Sequence, residues 1–210
     1  MPKTTGKAKG GRQTSRGNSA RRKAASGNDR GAKDAIALLK ADHREVEQMF
    51  SQFEKARSDD RKLELAQKIC RALNAHTAIE EEIFYPAFLD ATEETDIHHE
   101  AEIEHDGAKN LITQIESSGP GDEYYDAKLS VLSEMIKHHV NEEEKRGGMF
   151  AKARQADMDL KALGERLQAR KTEVMRQAEI RSETDEGELP GAMLNRGARA
   201  GREREAQRRE

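Results

Sequence analysis

At 210 residues, 34% hydrophobic and 37% charged, the chain has room for one domain plus extras or for two small ones. Its apolar residues gather between about 34 and 167, which favours a small packed domain with long solvated flanks over a largely disordered chain. One cysteine, Cys70, excludes an intramolecular disulfide framework and suits a reducing cytoplasm, and no run of eighteen apolar residues is present to span a membrane.

The net charge of -3 hides an asymmetry, because residues 1–33 carry ten Lys or Arg against one acid, Asp29. That segment is built of Gly, Ser, Ala, Lys and Arg and has nothing to form a core, so it reads as a disordered basic tail. It lacks the apolar segment of a secretory signal. Its functional reading is an electrostatic arm for nucleic acid or another anionic surface; its plainer reading is a solubilising tail.

A first helix is expected from the N-cap Asp34 to about Arg57. Ile36, Leu39, His43, Val46, Phe50 and Phe53 step by three and four along one stripe, with His43 in its middle. A second helix follows from about Lys62 to Leu89. Its stripe runs Ile69, Leu73, His76, Glu80, Ile83 and Ala87, so His76 and Glu80 sit one turn apart where core residues belong. Pro86 predicts a kink or loosened turn near its end. Glu81 and Glu82 flank the stripe and read as solvated.

The third helix is expected over roughly Glu93 to Ser117, with Ala101, His105, Ala108, Leu111, Ile112 and Ile115 inward and His98 and His99 at the surface. A Gly-Pro turn leads to a fourth helix from about Glu123 to Lys145. There Tyr125, Leu129, Leu132, Ile136, His139 and Glu143 keep the rhythm, and His139 with Glu143 repeat the spacing of His76 with Glu80. His138 and Glu142 fall one step off the stripe. Gly147-Gly148 breaks the helix, Met149 and Phe150 renew apolar contact, and residues 156–180 read as a charged fifth helix docked by Met158, Leu160, Leu163 and Leu167. Residues 181–210 lack periodicity and read as a disordered tail.

Four amphipathic helices on short turns make an all-α, up-down-up-down four-helix bundle over 34–155 the simplest architecture, with an additional C-terminal helix. Every helix of the bundle carries a polar side chain at an inward position: His43, His76, Glu80, His105, His139 and Glu143. Burial without a partner costs roughly 2–7 kcal/mol for a neutral group and more for a charge. A metal supplies the partners. Mixed imidazole and carboxylate ligation suits iron, manganese or zinc, and six ligands exceed what one tetrahedral zinc takes. Two glutamates on different helices can each bridge two ions, which makes a di-iron centre the leading choice.

The segments HREVEQMF, HTAIEEEIFYPAF, EIEHDGAKNLI and HHVNEEEKRGGMF resemble the four helices of the hemerythrin-like, or HHE cation-binding, domain family. The resemblance implies the same six metal ligands, with Glu80 as a bridging carboxylate. Oxygen-carrying members place a further histidine where this chain has Ala101 and an aspartate where it has Glu144, a departure from the five-histidine pattern. Water, His98, Glu102 or a neighbouring tyrosine is then the substitute ligand. Ferritin-like bundles use Glu-x-x-His, whereas this chain has His-x-x-x-Glu twice, which disfavours iron storage.

The expected function is a cytoplasmic non-haem di-iron protein that binds or senses O2, NO or peroxide, in a stress response. The alternatives are a di-iron enzyme that decomposes peroxide or reduces NO, with Tyr85 or Tyr125 as a redox-active side chain, and a nucleic-acid-associated stress protein acting through residues 1–33.

Overall fold

The computed structural model describes residues 34–187, all in helices and the turns between them. The expected tails at 1–33 and beyond 187 lie outside the described residues. Helix α1 spans Ala35–Lys55, and its N-cap is the Asp34 read from sequence: Ala37 N–H donates to Asp34 Oδ1 at 2.8 Å. Helix α2 spans Asp59–Ile79. It starts three residues before the expected Lys62, because Ser58 caps it and Asp59 and Asp60 sit in the first turn, where the helix dipole favours acids.

The loosened turn expected near Pro86 is a π-helical turn over Glu80–Phe84, leading without a break into α3, Tyr85–Thr92. Proline has no N–H to return and its ring crowds the carbonyl four residues back. The chain accommodates it by widening the preceding turn, where Tyr85 N–H reaches back to the Glu80 carbonyl. Helix α4 covers Thr95–Glu116 and α5 covers Tyr125–Glu144. A short helix α6, Met149–Gln155, follows Gly147-Gly148, and α7 runs from Leu160 to Gly187. Helix α7 thus starts later than the expected 156 and continues over 181–187, where no Gly or Pro interrupts it before Gly187.

Helix α1 packs on α2, α2 on α4, α4 on α5, and α5 back on α1, closing a four-helix ring; α7 lies in the angle of α1 and α2. Two apolar clusters fill the ring. One holds Ile36, Leu39, Ile79, Phe84, Phe88 and Phe150 with Leu163 and Leu167 of α7; the other holds Val46, Phe50, Leu65, Ile69, Ile112, Tyr125 and Leu129. Burying side chains of this size contributes about 1.5–3 kcal/mol each. Cys70 is one of the small side chains of the second cluster, and burial pushes its thiol up to about 12. Along α1, α2 with its π turn, and α4 the switch from one cluster to the other falls at the polar residues singled out above, and after His139 and Glu143 of α5 the chain joins the first cluster through Met149 and Phe150 of α6. No helix among the described residues is long and apolar enough to cross a membrane.

Candidate metal centre

Between the apolar clusters lies a polar layer. His43, His76, Glu80, His105, His139 and Glu143 are all buried there, none more than 5% exposed. Their ligand atoms fall into two groups that share the Glu80 carboxylate, one made of His43, His76, Glu80 and Glu143, the other of Glu80, His105 and His139.

The contacts are arranged in pairs. His43 and His76, from α1 and α2, bring their Nε2 atoms within 3.1 Å; His105 and His139, from α4 and α5, bring theirs within 3.3 Å. Two carboxylates tie the pairs together. Glu80 Oε2 lies 3.2 Å from His76 Nε2 and 3.4 Å from His105 Nε2. Glu143 Oε2 lies 3.4 Å from His43 Nε2 and 3.7 Å from His139 Nε2. Each glutamate therefore touches one histidine of each pair.

On the outer side every imidazole turns its Nδ1 to a carboxylate. His43 donates to Glu144 (2.8 Å), His105 to Glu81 (2.9 Å) and His139 to Glu104 (2.8 Å), while His76 Nδ1 faces Asp42 Oδ2 at 3.6 Å. The three bonded acids, Glu144, Glu81 and Glu104, fix the orientation and the tautomer of their rings. Cations hold them in turn: Lys40 and Arg44 on Glu144, Lys109 on Glu81, and Lys171 of α7 on Asp42. Glu81, expected to be solvated, is half-buried on the π turn and bonded to His105 of α4. Glu82 does remain exposed and pairs with Arg170.

With a proton on Nδ1, each Nε2 carries a lone pair, and two lone pairs facing each other at 3.1–3.3 Å repel unless a positive charge lies between them. Glu80 Oε1, Glu143 Oε2 and His76 Nδ1 are buried with no hydrogen-bond partner. The donor set is thus short of cations, and imidazole with carboxylate is the chemistry that iron, manganese and zinc accept. The residues fit a bound metal. In the metal-free protein protons serve instead. Burial opposes the charged form of His105, but Glu80 and Glu81 outweigh it and lift its pKa to about 9. His43 is raised against the same penalty by Glu143 and Glu80. Burial pushes Glu80 up, yet His76, His105 and His139 prevail and hold it below the usual carboxylate range.

Tyr85 adds a hydroxyl to the cluster. It lies 3.2 Å from Glu143 Oε1, 3.4 Å from Glu80 Oε2 and 3.3 Å from His105 Nε2, with its ring stacked on His105. Burial, then Glu143 and Glu80, push its pKa far up, so the proton stays on oxygen. Tyr125 packs against Phe53 in the second apolar cluster. Among the expected substitutes for a ligand at Ala101, Tyr85 is the side chain brought to the cluster. His98 is half-buried rather than at the surface and meets Tyr85 edge-on, forming with His99 and the exposed Glu102 a separate group. His138 is exposed and pairs with Glu104, and Glu142 pairs with Lys145, so neither joins the cluster.

The profile of the hemerythrin HHE cation-binding domain matches residues 34–153. The chain is also similar to the crystal structure of a hemerythrin HHE cation-binding domain-containing protein from Mycobacterium kansasii, at a TM-score of 0.63 and 21% identity, over 72% of this chain and 93% of that one. At that identity the likeness is one of fold. A DNA nickase of Nostoc sp. is 26% identical over 118 residues, which are 56% of this chain and 33% of the relative. The chain thus spans about a third of the length of that curated relative.

Proposed function

The chain belongs to the hemerythrin HHE cation-binding domain family, and from that premise we propose that its metal is a pair of iron ions serving to bind or sense a small molecule such as O2, NO or peroxide in a stress response. One observation carries this reading: two histidine pairs joined by two shared carboxylates. His43 and His76 would hold one ion, His105 and His139 the other, with Glu80 and Glu143 between them. When bound, the iron pair supplies a reversible redox couple and a coordination position for the small molecule.

The chain's own residues do the rest. The apolar clusters above and below the layer exclude bulk water, which strengthens every charge interaction inside it. The outer carboxylates hold the imidazoles with Nε2 inward. The Tyr85 hydroxyl keeps a proton at Oη within hydrogen-bond reach of Glu143, so a small ligand entering the layer meets one fixed donor. The same donor, beside a redox metal, is what a peroxide-decomposing or NO-reducing enzyme would use, and turnover of peroxide by the reduced protein separates that activity from reversible binding.

The deciding experiment is metal analysis of anaerobically purified protein, with an optical spectrum before and after exposure to O2. About two irons per chain and a spectral change on oxidation support the reading. One zinc per chain, or a folded protein that takes up no metal, overturns it.

The basic segment 1–33 favours a second role, binding to nucleic acid, and the likeness to a DNA nickase prompts its test. Binding to duplex DNA that weakens with salt and disappears when residues 2–33 are deleted would support it. No binding by the intact chain would end it.

A further inference from the structure

A buried cation site needs a way in. Among the described residues, the clefts beside the polar layer differ in charge. One of about 450 Å3, lined by Glu81, His99, Glu102, Ile103, Asp106 and Lys109, reaches none of the six buried residues. The second reaches His43 between α1 and α5; Glu47 and Glu144 line it together with Arg44 and Lys137, so its charges balance, and Arg44 closes on Glu144 through two bonds of 3.0 and 2.7 Å.

The third, about 250 Å3, runs between α4 and the α5–α6 turn. Glu100, Glu104 and Glu142 line it, His139 and Glu143 form its buried end, and Lys145, its one cation, is already paired with Glu142. Glu143 is 2% exposed and its Oε2 has no hydrogen-bond partner. Two small residues leave the space. Ala101 offers only a methyl group to the lining. Gly148 lets the turn fold back on α5, since a Cβ there would fall 2.3 Å from the Glu142 carbonyl oxygen.

We propose that this acidic cleft is the route by which the divalent metal cation reaches the buried centre, with Glu100 and Glu142 drawing it in and passing it to Glu143 and His139. A cleft lined by one sign of charge between low-dielectric walls focuses the field and raises the local concentration of the opposite ion. A neutral ligand such as O2 or peroxide gains nothing from four carboxylates; a divalent cation does. No bond is made or broken except that metal–water contacts are exchanged for metal–carboxylate ones. The route rests on the reading of the polar layer as a metal centre.

The test uses the full-length, metal-free protein and Co(II), followed by stopped-flow absorbance for the rate and by metal analysis for the final amount. Glu100→Gln with Glu142→Gln should slow association about tenfold and flatten its dependence on ionic strength, with the final loading unchanged. Lys145→Gln should speed it. Glu45→Gln with Glu54→Gln, the same charge change on α1 away from the clefts, should leave the rate as it was. A double variant that loads as fast as the unaltered protein, or a control that slows equally, overturns the route while leaving the metal centre standing. If the unaltered protein takes up no Co(II), the centre itself fails, and the route with it.

Discussion

His43 Nδ1 donates to Glu144 across 2.8 Å, although 101 positions separate the two residues in the chain. The carboxylate is clamped from its other side by Lys40 and by both terminal nitrogens of Arg44, and these partners outweigh the effect of burial to hold its pKa near 2. A permanently ionised acid thus fixes the ring whose Nε2 faces the layer. Glu104 performs the same service for His139 at 2.8 Å.

Glu144→Gln and Glu104→Gln keep the side-chain shape and remove the charge. Each should weaken metal binding by about 10- to 100-fold without unfolding the protein, measured by competition with a chelator. Unchanged affinity in both would mean that the outer carboxylates do not orient the histidines.

The six inward residues were legible because each interrupts an apolar stripe at helical spacing. The outer acids were not, since a single stripe says nothing of what faces a histidine from the neighbouring helix. A signal was nevertheless present. Asp42-His43 and Glu104-His105 are each an acid followed by histidine, and HTAIEE and HVNEEE each read His-x-x-x-Glu-Glu. The histidines of the two halves stand 33 and 34 residues apart. The residue before each first histidine holds the second histidine of its own half, and the last glutamate of each half holds the first histidine of the other. Reading the chain against itself would have found all four. The widened turn at Glu80–Phe84 was expected only as a loosening at Pro86, and α6 only as renewed apolar contact, because neither carries a local pattern of its own.

The pairing predicts how loading divides. His76→Ala removes one member of the first pair and leaves His105 and His139 intact, so uptake should fall from about two metals per chain to about one. Glu80→Ala or Glu143→Ala removes a carboxylate shared by both pairs and should reduce uptake at both. Metal analysis of the three variants checks this. Loss of all metal from His76→Ala would show that the pairs do not act as separable sites.

Helix α7 reaches the centre through one ion pair. Lys171 Nζ lies 2.7 Å from Asp42 Oδ1, and Asp42 is 7% exposed beside His76. Burial pushes the Asp42 carboxyl up, but His76 and Lys171 prevail and lower it. Lys171→Ala leaves that carboxylate short of a partner and should cost about 1–3 kcal/mol of stability in the metal-free protein. The neighbouring Arg170→Ala breaks a solvent-screened pair with Glu82 and should cost clearly less. Denaturant unfolding of both variants compares them directly, and equal losses would place Asp42 outside the energetics of the layer.

The pH dependence of the metal-free protein follows from which state holds the protons. His105 has a folded pKa of about 9, above its ordinary 6.5, so its contribution is complete below pH 6.5 and is lost as the pH rises through 9. Glu144, brought from an ordinary 4.5 to about 2, contributes fully above pH 4.5 and loses that contribution as the pH falls through 2. Stability of the metal-free chain should therefore peak between pH 4.5 and 6.5 and decline toward pH 9. Bound metal replaces the protons on the imidazoles, so the loaded protein should lose the alkaline decline and release protons on loading near pH 7. Thermal unfolding across pH 4–10, with and without metal, measures both curves. If the two decline in parallel above pH 7, the proton on His105 and the metal do not compete for the same lone pair.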